Sequence, residues 1–211
     1  ASEWSLEGVP PSYLQKGYCS AALKSYQEFL IEYDYEQELL TVFNEHKGDE
    51  SAVVEKLDRQ ITYPKFLLEG LDKKQGKEVV RNVRVRVNQA VFRKMMLKIY
   101  NESCCITGLN IPEVNRASHI IPWSDDDGTS IRLDPRNGLC LSATYDAAFD
   151  KNLVSLDDDY RIIVSKNITD HYKSEIVREY FLSKQGQKIT LPSSYLPQQE
   201  YLAVHRDRGR F

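Results

Sequence analysis

Three small groups of polar residues follow one another within a single stretch of this chain. His119 stands in a short apolar run, the pair Asn137-Gly138 follows, and two carboxylates lie four residues apart at Asp146 and Asp150. A neutral imidazole can take a proton from water near pH 7, and carboxylates bind hard divalent cations. These residue types could form a metal-assisted hydrolytic site.

Phosphodiester hydrolysis needs a nucleophilic water, a countercharge for the phosphate and help for the leaving oxygen. His119 is the candidate general base, and Asn137 is expected to orient its imidazole by a hydrogen bond. Asp146 and Asp150 are i and i+4 on a predicted helix, so they share a face and can hold one cation. Oxygen ligands favour Mg²⁺, with Mn²⁺ as the second choice. The acidic runs at 125–127 and 157–159 are read as turns, with cation binding as the alternative.

The residues around these groups predict a strand, a second strand and a helix. Residues 103–106 and 117–121 are short extended segments that predict a β-hairpin with His119 on its second strand. Asn137-Gly138 is a predicted turn, residues 141–149 are compatible with a helix, and residues 153–164 predict a further hairpin. A helix is predicted over residues 174–182, followed by a proline-containing tail.

Charge is divided unevenly along the 211 residues, although the net charge is only −3. Residues 1–72 carry 6 Lys/Arg against 14 Asp/Glu, whereas residues 73–100 carry 9 against 1. Such a basic strip is typical of a surface that binds a polyanion, although a solvated helix face gives the same count. Within it, valines alternate with arginines up to Val87, which predicts a short strand with one basic face. The candidate phosphate contacts are Arg81, Arg84, Arg86 and Arg93.

The acidic N-terminal part is predicted to be helical. Apolar residues at spacings of three and four predict one helix from Ser20 to about residue 46, and a second begins near Ser51. The tyrosines of this part are interpreted as core, with base stacking as the alternative; they are Tyr26, Tyr33, Tyr35 and Tyr63. The charged segment 71–77 marks the predicted boundary between a helical module at 1–76 and a second domain at 77–211.

Composition excludes several classes of protein. Four cysteines, two of them adjacent, do not form a disulfide framework, and no paired C-x-x-C or C-x-x-H spacing predicts a zinc site. No run approaches the roughly 18 apolar residues of a membrane span, and no secretory signal is evident. We therefore expect a soluble protein of the reducing cytoplasm without membrane association.

The motifs ASHIIPW, RLDPRNGLCLS and YDAAFD, preceded by RVRVNQAVFRKMMLKIY and CCITG, resemble the HNH endonuclease family. The resemblance covers roughly residues 81–165, with a weaker echo in the terminal motif YLAVHR, and is closest to the restriction-endonuclease-like branch that lacks zinc. It implies an α+β protein in which a helical N-terminal module precedes a ββα-metal nuclease domain. It also implies DNA as the substrate and a divalent metal ion as the cofactor.

The resemblance also implies roles for individual residues. The family histidine falls on His119, the family asparagine on Asn137, and the third family position, a metal ligand, on Asp146. Asp150 lies where some members place a second ligand. Ser118 departs from the family, because many members have an acidic metal ligand directly before the histidine.

A second departure concerns zinc. Of the positions that hold zinc in many members, only Cys105 keeps a zinc-binding side chain, so no structural zinc is expected. Apolar packing of Leu141, Tyr145 and Phe149 is expected to replace it. Some relatives have histidine at the position of Tyr145, which makes phosphate contact by this tyrosine an alternative.

The leading hypothesis is therefore a metal-dependent endonuclease that serves restriction or defence. A DNA-binding or protein-interaction module with a weakened site is the first alternative, and a toxin-like nuclease neutralised by a partner is the second. A double-strand cutter with one site per chain needs a homodimer or two visits to the DNA. Residues 20–70 are the candidate dimer surface.

Overall fold

A computed structural model describes residues 17–45, 49–57, 73–122 and 131–211, without the side chains of Cys19, Ser20, Lys24 and residues 73–84. Helices and two small sheets make this an α+β protein. In chain order its elements are α1 (Tyr18–Glu45), α2 (Glu50–Leu57), α3 (Lys73–Ile99), β1 (Asn115–His119), a 3-10 turn (Pro135–Asn137), β2 (Gly138–Ser142), α4 (Ala143–Asp150), β3 (Val154–Leu156), β4 (Ile162–Val164), α5 (Lys166–His171), α6 (Glu175–Tyr180), a second 3-10 turn (Leu182–Lys184) and α7 (Gln199–Gly209).

Helix α1 confirms the predicted long N-terminal helix. It buries one stripe at i+4 spacing, made of Ile31, Tyr35, Leu39 and Phe43. The prediction that its tyrosines are core is wrong for two of them, because Tyr26 is 59% and Tyr33 53% exposed. Tyr63 lies outside the described residues.

Helix α3 replaces the strand that was predicted up to Val87. The backbone is helical from Lys73 to Ile99, so the alternation of valine and arginine does not produce an extended segment. From Val87 onward the buried residues recur at helical spacing; they are Val87, Val91, Phe92, Met95, Met96 and Ile99. Valine costs only a few tenths of a kcal/mol in a helix, so a buried helical stripe outweighs its strand preference.

The strand pairing also differs from the prediction. Strand β1 pairs antiparallel with β2, and His119 lies opposite Gly138, so the histidine is on the first strand of the pair. Residues 103–106 do not form the predicted partner strand, and a turn covers residues 105–107. The Cys105 amide donates to the Cys140 carbonyl at 2.8 Å, which keeps this turn beside β2. The order strand, strand, helix is correct, but its two strands are separated by a long connection.

Helix α4 packs against β1, β2 and β3 and covers the small sheet. Leu141, Tyr145 and Phe149 are buried, at 0%, 1% and 1% exposure, as the apolar packing prediction required. Burial of such side chains contributes about 1.5–3 kcal/mol each. The pairing of β3 with β4 confirms the predicted second hairpin.

The C-terminal residues form a helix where the sequence predicts only a tail. Helix α7 packs against β3 and buries Leu202 and His205, at 0% and 4% exposure. Helix α6 is confirmed within the predicted residues 174–182.

The chain divides into two compact units. One unit comprises Ala1–Glu38 and Gln60–Val87, and the other comprises Leu39–Arg59 and Asn88–Phe211. Helix α3 begins at Lys73, so Gly76 lies inside a helix instead of a linker. A functional division at residue 76 stays a prediction. Among the described residues, no helix combines the length and apolar character needed to cross a membrane.

Candidate active site

A depression of about 500 Å³ opens beside β1 and α4 in the larger unit. Its lining includes His119, Ser118, Asp146 and Asp150, together with side chains of α3 and the start of β1. The structure thus brings the predicted base and both predicted metal ligands to one surface. Asn137 is buried, at 0% exposure, behind this surface.

The imidazole of His119 is fixed on one edge and on one face. Its Nε2 lies 3.0 Å from the Arg132 carbonyl oxygen, so Nε2 carries the proton and donates it. In this tautomer Nδ1 is the basic nitrogen. The ring of Phe92 stacks on the imidazole at a centroid distance of 3.7 Å and an angle of 16°.

Burial, with a smaller contribution from the nearby Arg132 charge, lowers the pKa of His119 to about 4, although the hydrogen bond to the Arg132 carbonyl opposes this shift. The imidazole is therefore neutral at pH 7 and able to accept a proton. A phosphate in the depression would raise this pKa, because a negative charge favours the imidazolium form.

Asn137 orients His119 through the backbone, and not by the direct hydrogen bond that was predicted. Its Oδ1 accepts from the Ile121 amide at 2.8 Å, and its Nδ2 donates to the carbonyls of Ile121 and Ile131 at 3.2 and 3.3 Å. These hydrogen bonds fix the backbone at Ile121, two residues after His119, and at Ile131, one residue before Arg132. The carboxamide therefore fixes both the histidine and the carbonyl that selects its tautomer.

Gly138 is required by close packing, and not by the tight turn that was predicted. Its φ of −138° is ordinary extended backbone. A Cβ at this position would lie 2.3 Å from Met96 Sδ and 2.6 Å from Phe92 Cζ. The absence of a side chain lets β2 approach α3 and lets Phe92 reach His119.

Asp146 and Asp150 project from α4 into the depression, as their i, i+4 spacing predicts. Asp146 is half-buried and Asp150 exposed. Although the residue is exposed, neighbouring protein atoms remove part of its carboxyl group from water and so raise the pKa of Asp150, and the Asp146 carboxylate raises it further. The two negative charges repel each other. A divalent cation between the two carboxylates would therefore stabilise the charged form of both.

Ser118 contributes a further oxygen to this region. The residue is buried, at 2% exposure, and its Oγ has no hydrogen-bond partner among the described residues. A buried hydroxyl without a partner costs free energy unless a ligand or water satisfies it.

The described donors fit a hard cation only in part. Among the described residues, no three His, Cys, Asp or Glu side chains lie close enough to hold one metal ion. Mg²⁺ is commonly held by one or two carboxylates with waters and substrate phosphates, so the pair Asp146 and Asp150 is compatible with it. The acidic run at 125–127 lies outside the described residues.

Two of the four predicted phosphate-binding arginines have side chains that the structure describes. Those of Arg81 and Arg84 lie outside the described part of the chain. Arg86 forms ion pairs with Glu32 at 2.5 Å and Glu28 at 3.5 Å. The Arg93 guanidinium lines the depression and donates to two backbone carbonyls, those of residues 115 and 112, both at 2.5 Å. The guanidinium groups of Arg86 and Arg93 are therefore already bound to other groups of the protein.

Sequence reasoning missed Arg116 and Phe92. Arg116 is exposed on β1, three residues before His119, and lines the depression. The predicted strand begins at residue 117, one residue too late to include it. Phe92 is assigned to a helix by its sequence pattern, but its stacking on His119 depends on tertiary packing.

Tyr145 is part of the core. It is 1% exposed, its hydroxyl donates to the Tyr180 carbonyl, and its ring stacks on that of Tyr180 at 5.7 Å. Burial raises its pKa to about 12. These contacts do not favour the phosphate-contact alternative.

Residues 104–157 match the family model of the HNH endonucleases, and this span contains His119, Asn137 and both aspartates. This part of the chain is therefore similar to an HNH endonuclease domain. HNH nucleases generally use divalent metal ions.

Among solved structures, the chain resembles a modification-dependent TagI restriction endonuclease at 15% identity and a TM-score of 0.40. The match covers 54% of this chain and 35% of that chain, so this chain spans about a third of its length. At this level the likeness assigns no role to any residue. No curated protein matches the chain.

Proposed function

We propose that this protein is a metal-dependent endonuclease that hydrolyses phosphodiester bonds in DNA, in a restriction or defence role. The observation that carries the proposal is the convergence of His119, Asp146 and Asp150 on one depression, with the imidazole held in a defined tautomer. The family match over the same residues supports the nuclease chemistry.

In the proposed reaction His119 Nδ1 removes a proton from the attacking water. The hydrogen bond from Nε2 to the Arg132 carbonyl and the Phe92 ring keep the imidazole in place. Asn137 holds the backbone next to both His119 and Arg132. Asp146 and Asp150 would hold the cation, Mg²⁺ first and Mn²⁺ second, which neutralises charge on the phosphate and the leaving oxygen when bound.

Phosphate binding is assigned to Arg116 at the edge of the depression, with Arg93 beside it and Arg81 and Arg84 as further predictions. The exposed side chain of Arg116 makes no hydrogen bond or ion pair with the described residues, so its guanidinium is available to an anion. Arg86 is a weaker candidate, because it would have to leave its two glutamate partners on α1 to reach a phosphate.

A homodimer is the proposed form for cleavage of both strands. Support comes from a row of exposed residues on α1: Tyr18, Leu23, Tyr26, Phe29 and Tyr33 are each 51–64% exposed. Four aromatic side chains at about half exposure and one leucine give about 1,000 Å² over two copies, near the lower limit of a specific interface.

Plasmid cleavage with the parent and the His119→Ala variant tests the proposal. We expect nicking by the parent in Mg²⁺ or Mn²⁺, abolition by EDTA, and loss of at least about 100-fold in His119→Ala. His171→Ala is the matched control, because His171 is an exposed histidine on α5. Persistent nicking by a clean His119→Ala preparation would overturn the base assignment.

The alternative is a DNA-binding or protein-interaction module on the same scaffold. The incomplete set of described metal ligands favours it. Mn²⁺ titration of the parent, Asp146→Asn and Asp150→Asn separates the two. DNA binding without nicking, together with equal Mn²⁺ affinity in all three proteins, would establish the binding module. A toxin-like nuclease would instead require an inhibitory partner.

A further inference from the structure

Helix α7 contacts the turn that carries Asn137, although α7 lies outside the residues matched by the family model. The Gln198 amide at its N-terminus donates to the Arg136 carbonyl at 3.0 Å. The Tyr201 hydroxyl, one turn further, donates to Asp134 Oδ2 at 3.2 Å. Two residues at the start of one helix therefore hold the two residues that flank Pro135.

Asp134 is a buried carboxylate whose bonds define this turn. It is 1% exposed, and its oxygens accept from the Arg136 amide at 2.9 Å, from Nε at 3.0 Å and from Nη2 at 2.8 Å. A buried charge is costly unless it is paired and hydrogen-bonded. Loss of the Tyr201 hydroxyl would leave one carboxylate oxygen with fewer donors, and the turn would have to adjust.

The position of this turn determines the position of the backbone next to His119. The 3-10 segment Pro135–Asn137 ends at Asn137, whose carboxamide holds the backbone of Ile121 and Ile131. The Asn137 carbonyl also accepts from the Ile120 amide at 3.0 Å. A shift of the turn therefore moves the chain on both sides of the contact between His119 and the Arg132 carbonyl.

Helix α7 is itself firmly anchored. Leu202 is fully buried, and the His205 ring stacks on Phe149 at 3.8 Å and 9°. Burial raises the pKa of Tyr201 to about 12, and the adjacent Asp134 carboxylate raises it too, so its hydroxyl remains a donor at neutral pH. A rigid support with a protonated donor is what accurate positioning of an active-site loop requires.

We propose that Tyr201 and Asp134 are positioning residues of the nuclease site, through which α7 sets the place of Asn137 and, through it, of the His119 imidazole. The proposal rests on the proposed function of His119 as the base. It assigns a role to a C-terminal segment outside the residues that the family model matches.

The test combines cleavage kinetics and NMR of the full chain. In Tyr201→Phe and Asp134→Asn we expect kcat to fall by about tenfold, the usual range for partners of catalytic groups, with KM for plasmid unchanged. The double variant should lose little more than Asp134→Asn alone, because both changes break one interaction. Arg206→Ala is the matched control on α7. Its guanidinium binds the Leu156 carbonyl and Asp158, away from the turn, so kcat should stay within twofold.

The imidazole resonances provide a readout that needs no activity. The chain has four histidines, so the Hε1–Cε1 signals can be assigned from single His→Gln variants. Tyr201→Phe should shift the signal of His119 and leave that of His171 in place. If the parent does not cleave but this shift occurs, the proposed function fails and the positioning inference stands. Unchanged His119 signals in both variants would overturn the inference, whatever happens to kcat.

Discussion

At the scale of single residues, Gly138 links the packing of the core to the geometry of the site. The space for its missing side chain is filled by Phe92 and Met96, and Phe92 is the ring that stacks on His119. We therefore expect a methyl group on Gly138 to change the position of the His119 imidazole without touching a polar group.

We expect Gly138→Ala to destabilise the protein by about 1–3 kcal/mol, the usual cost of overpacking, and to reduce kcat by more than about tenfold. The reason is that Phe92 and Met96 must move to admit a Cβ that would otherwise lie 2.3 Å from Met96 Sδ. Urea unfolding and plasmid nicking would measure the two effects.

Gly186→Ala is the matched control for that change. Gly186 has a φ of +76°, and a Cβ added there would meet no atom within 4 Å, so alanine adds backbone strain without a clash. It should cost about 1 kcal/mol and leave kcat unchanged. Equal kcat values for both alanine variants would contradict the link between Gly138 and the imidazole.

The sequence predicts which residues lie together in the candidate site, but not the hydrogen bonds and packing contacts that hold them there. Asp146 and Asp150 can be placed on one face because the i, i+4 relation is local and almost independent of tertiary structure. The partners of Asn137 cannot be predicted, since they lie on a loop whose path depends on strands far apart in the chain. Gly138 is wrongly assigned to a turn for a similar reason. The side chains that leave no room for a Cβ at this position belong to α3, which is distant in sequence.

At the scale of elements, long-range pairing explains the failed predictions. Helix α4 and the pair of β3 and β4 are predicted correctly, because their periodicity and turn residues are local. The predicted partner of strand β1 is wrong. The true partner, β2, lies further along the chain, and both strands are too short for their sequence pattern to show which segments pair. The alternating valines before the buried stripe of α3 mislead the prediction, because a two-residue period over a few residues competes poorly with 27 residues of helix.

Helix α1 presents its exposed row in a form suited to pairing with a second copy. The rings of Tyr26 and Phe29 stack at a centroid distance of 6.5 Å, and those of Phe29 and Tyr33 at 6.3 Å, so neighbouring rings of the row lie side by side. In an antiparallel pair related by a two-fold axis near Phe29, that ring meets its own copy and Tyr26 meets Tyr33.

We therefore expect the protein to sediment as a concentration-dependent dimer and the Phe29→Glu variant to be monomeric. The monomer should still nick plasmid but convert it to linear DNA more slowly, because the second strand needs a second visit. Tyr172→Glu is the control, since Tyr172 is also 53% exposed but lies outside α1. A parent that remains monomeric at the highest concentration tested, or a Phe29→Glu dimer, would exclude this interface.

At the scale of the whole molecule, His205 couples global stability to pH. It is 4% exposed, Nε2 donates to the Phe149 carbonyl at 3.0 Å, and Nδ1 accepts from the Ser155 hydroxyl at 2.9 Å. In the neutral form both ring nitrogens therefore have a partner, and no carboxylate is hydrogen-bonded to the ring to offset the cost of charging it in this buried place. Burial lowers the pKa of His205 from 6.5 to about 4, with smaller contributions from Arg208 and Arg206.

Because the folded pKa is below the unfolded value of 6.5, the unfolded chain binds the proton first as the pH falls. The stabilisation is therefore fully present above pH 6.5, is lost progressively below it, and is gone once the folded pKa near 4 is passed. For His205 the loss is on the order of 3 kcal/mol. The half-buried His119, with a pKa also lowered to about 4, adds to the same slope.

Urea unfolding followed by circular dichroism between about pH 7.5 and 4.5 would measure this dependence. We expect His205→Gln to be less stable than the parent at neutral pH but to lose less free energy of unfolding on acidification. His171→Gln should keep the parent's slope, because His171 is exposed on α5. If His205→Gln retained the full slope, the acid sensitivity would have to come from other groups, and the neutral His205 bridge between Phe149 and Ser155 would contribute little to folding.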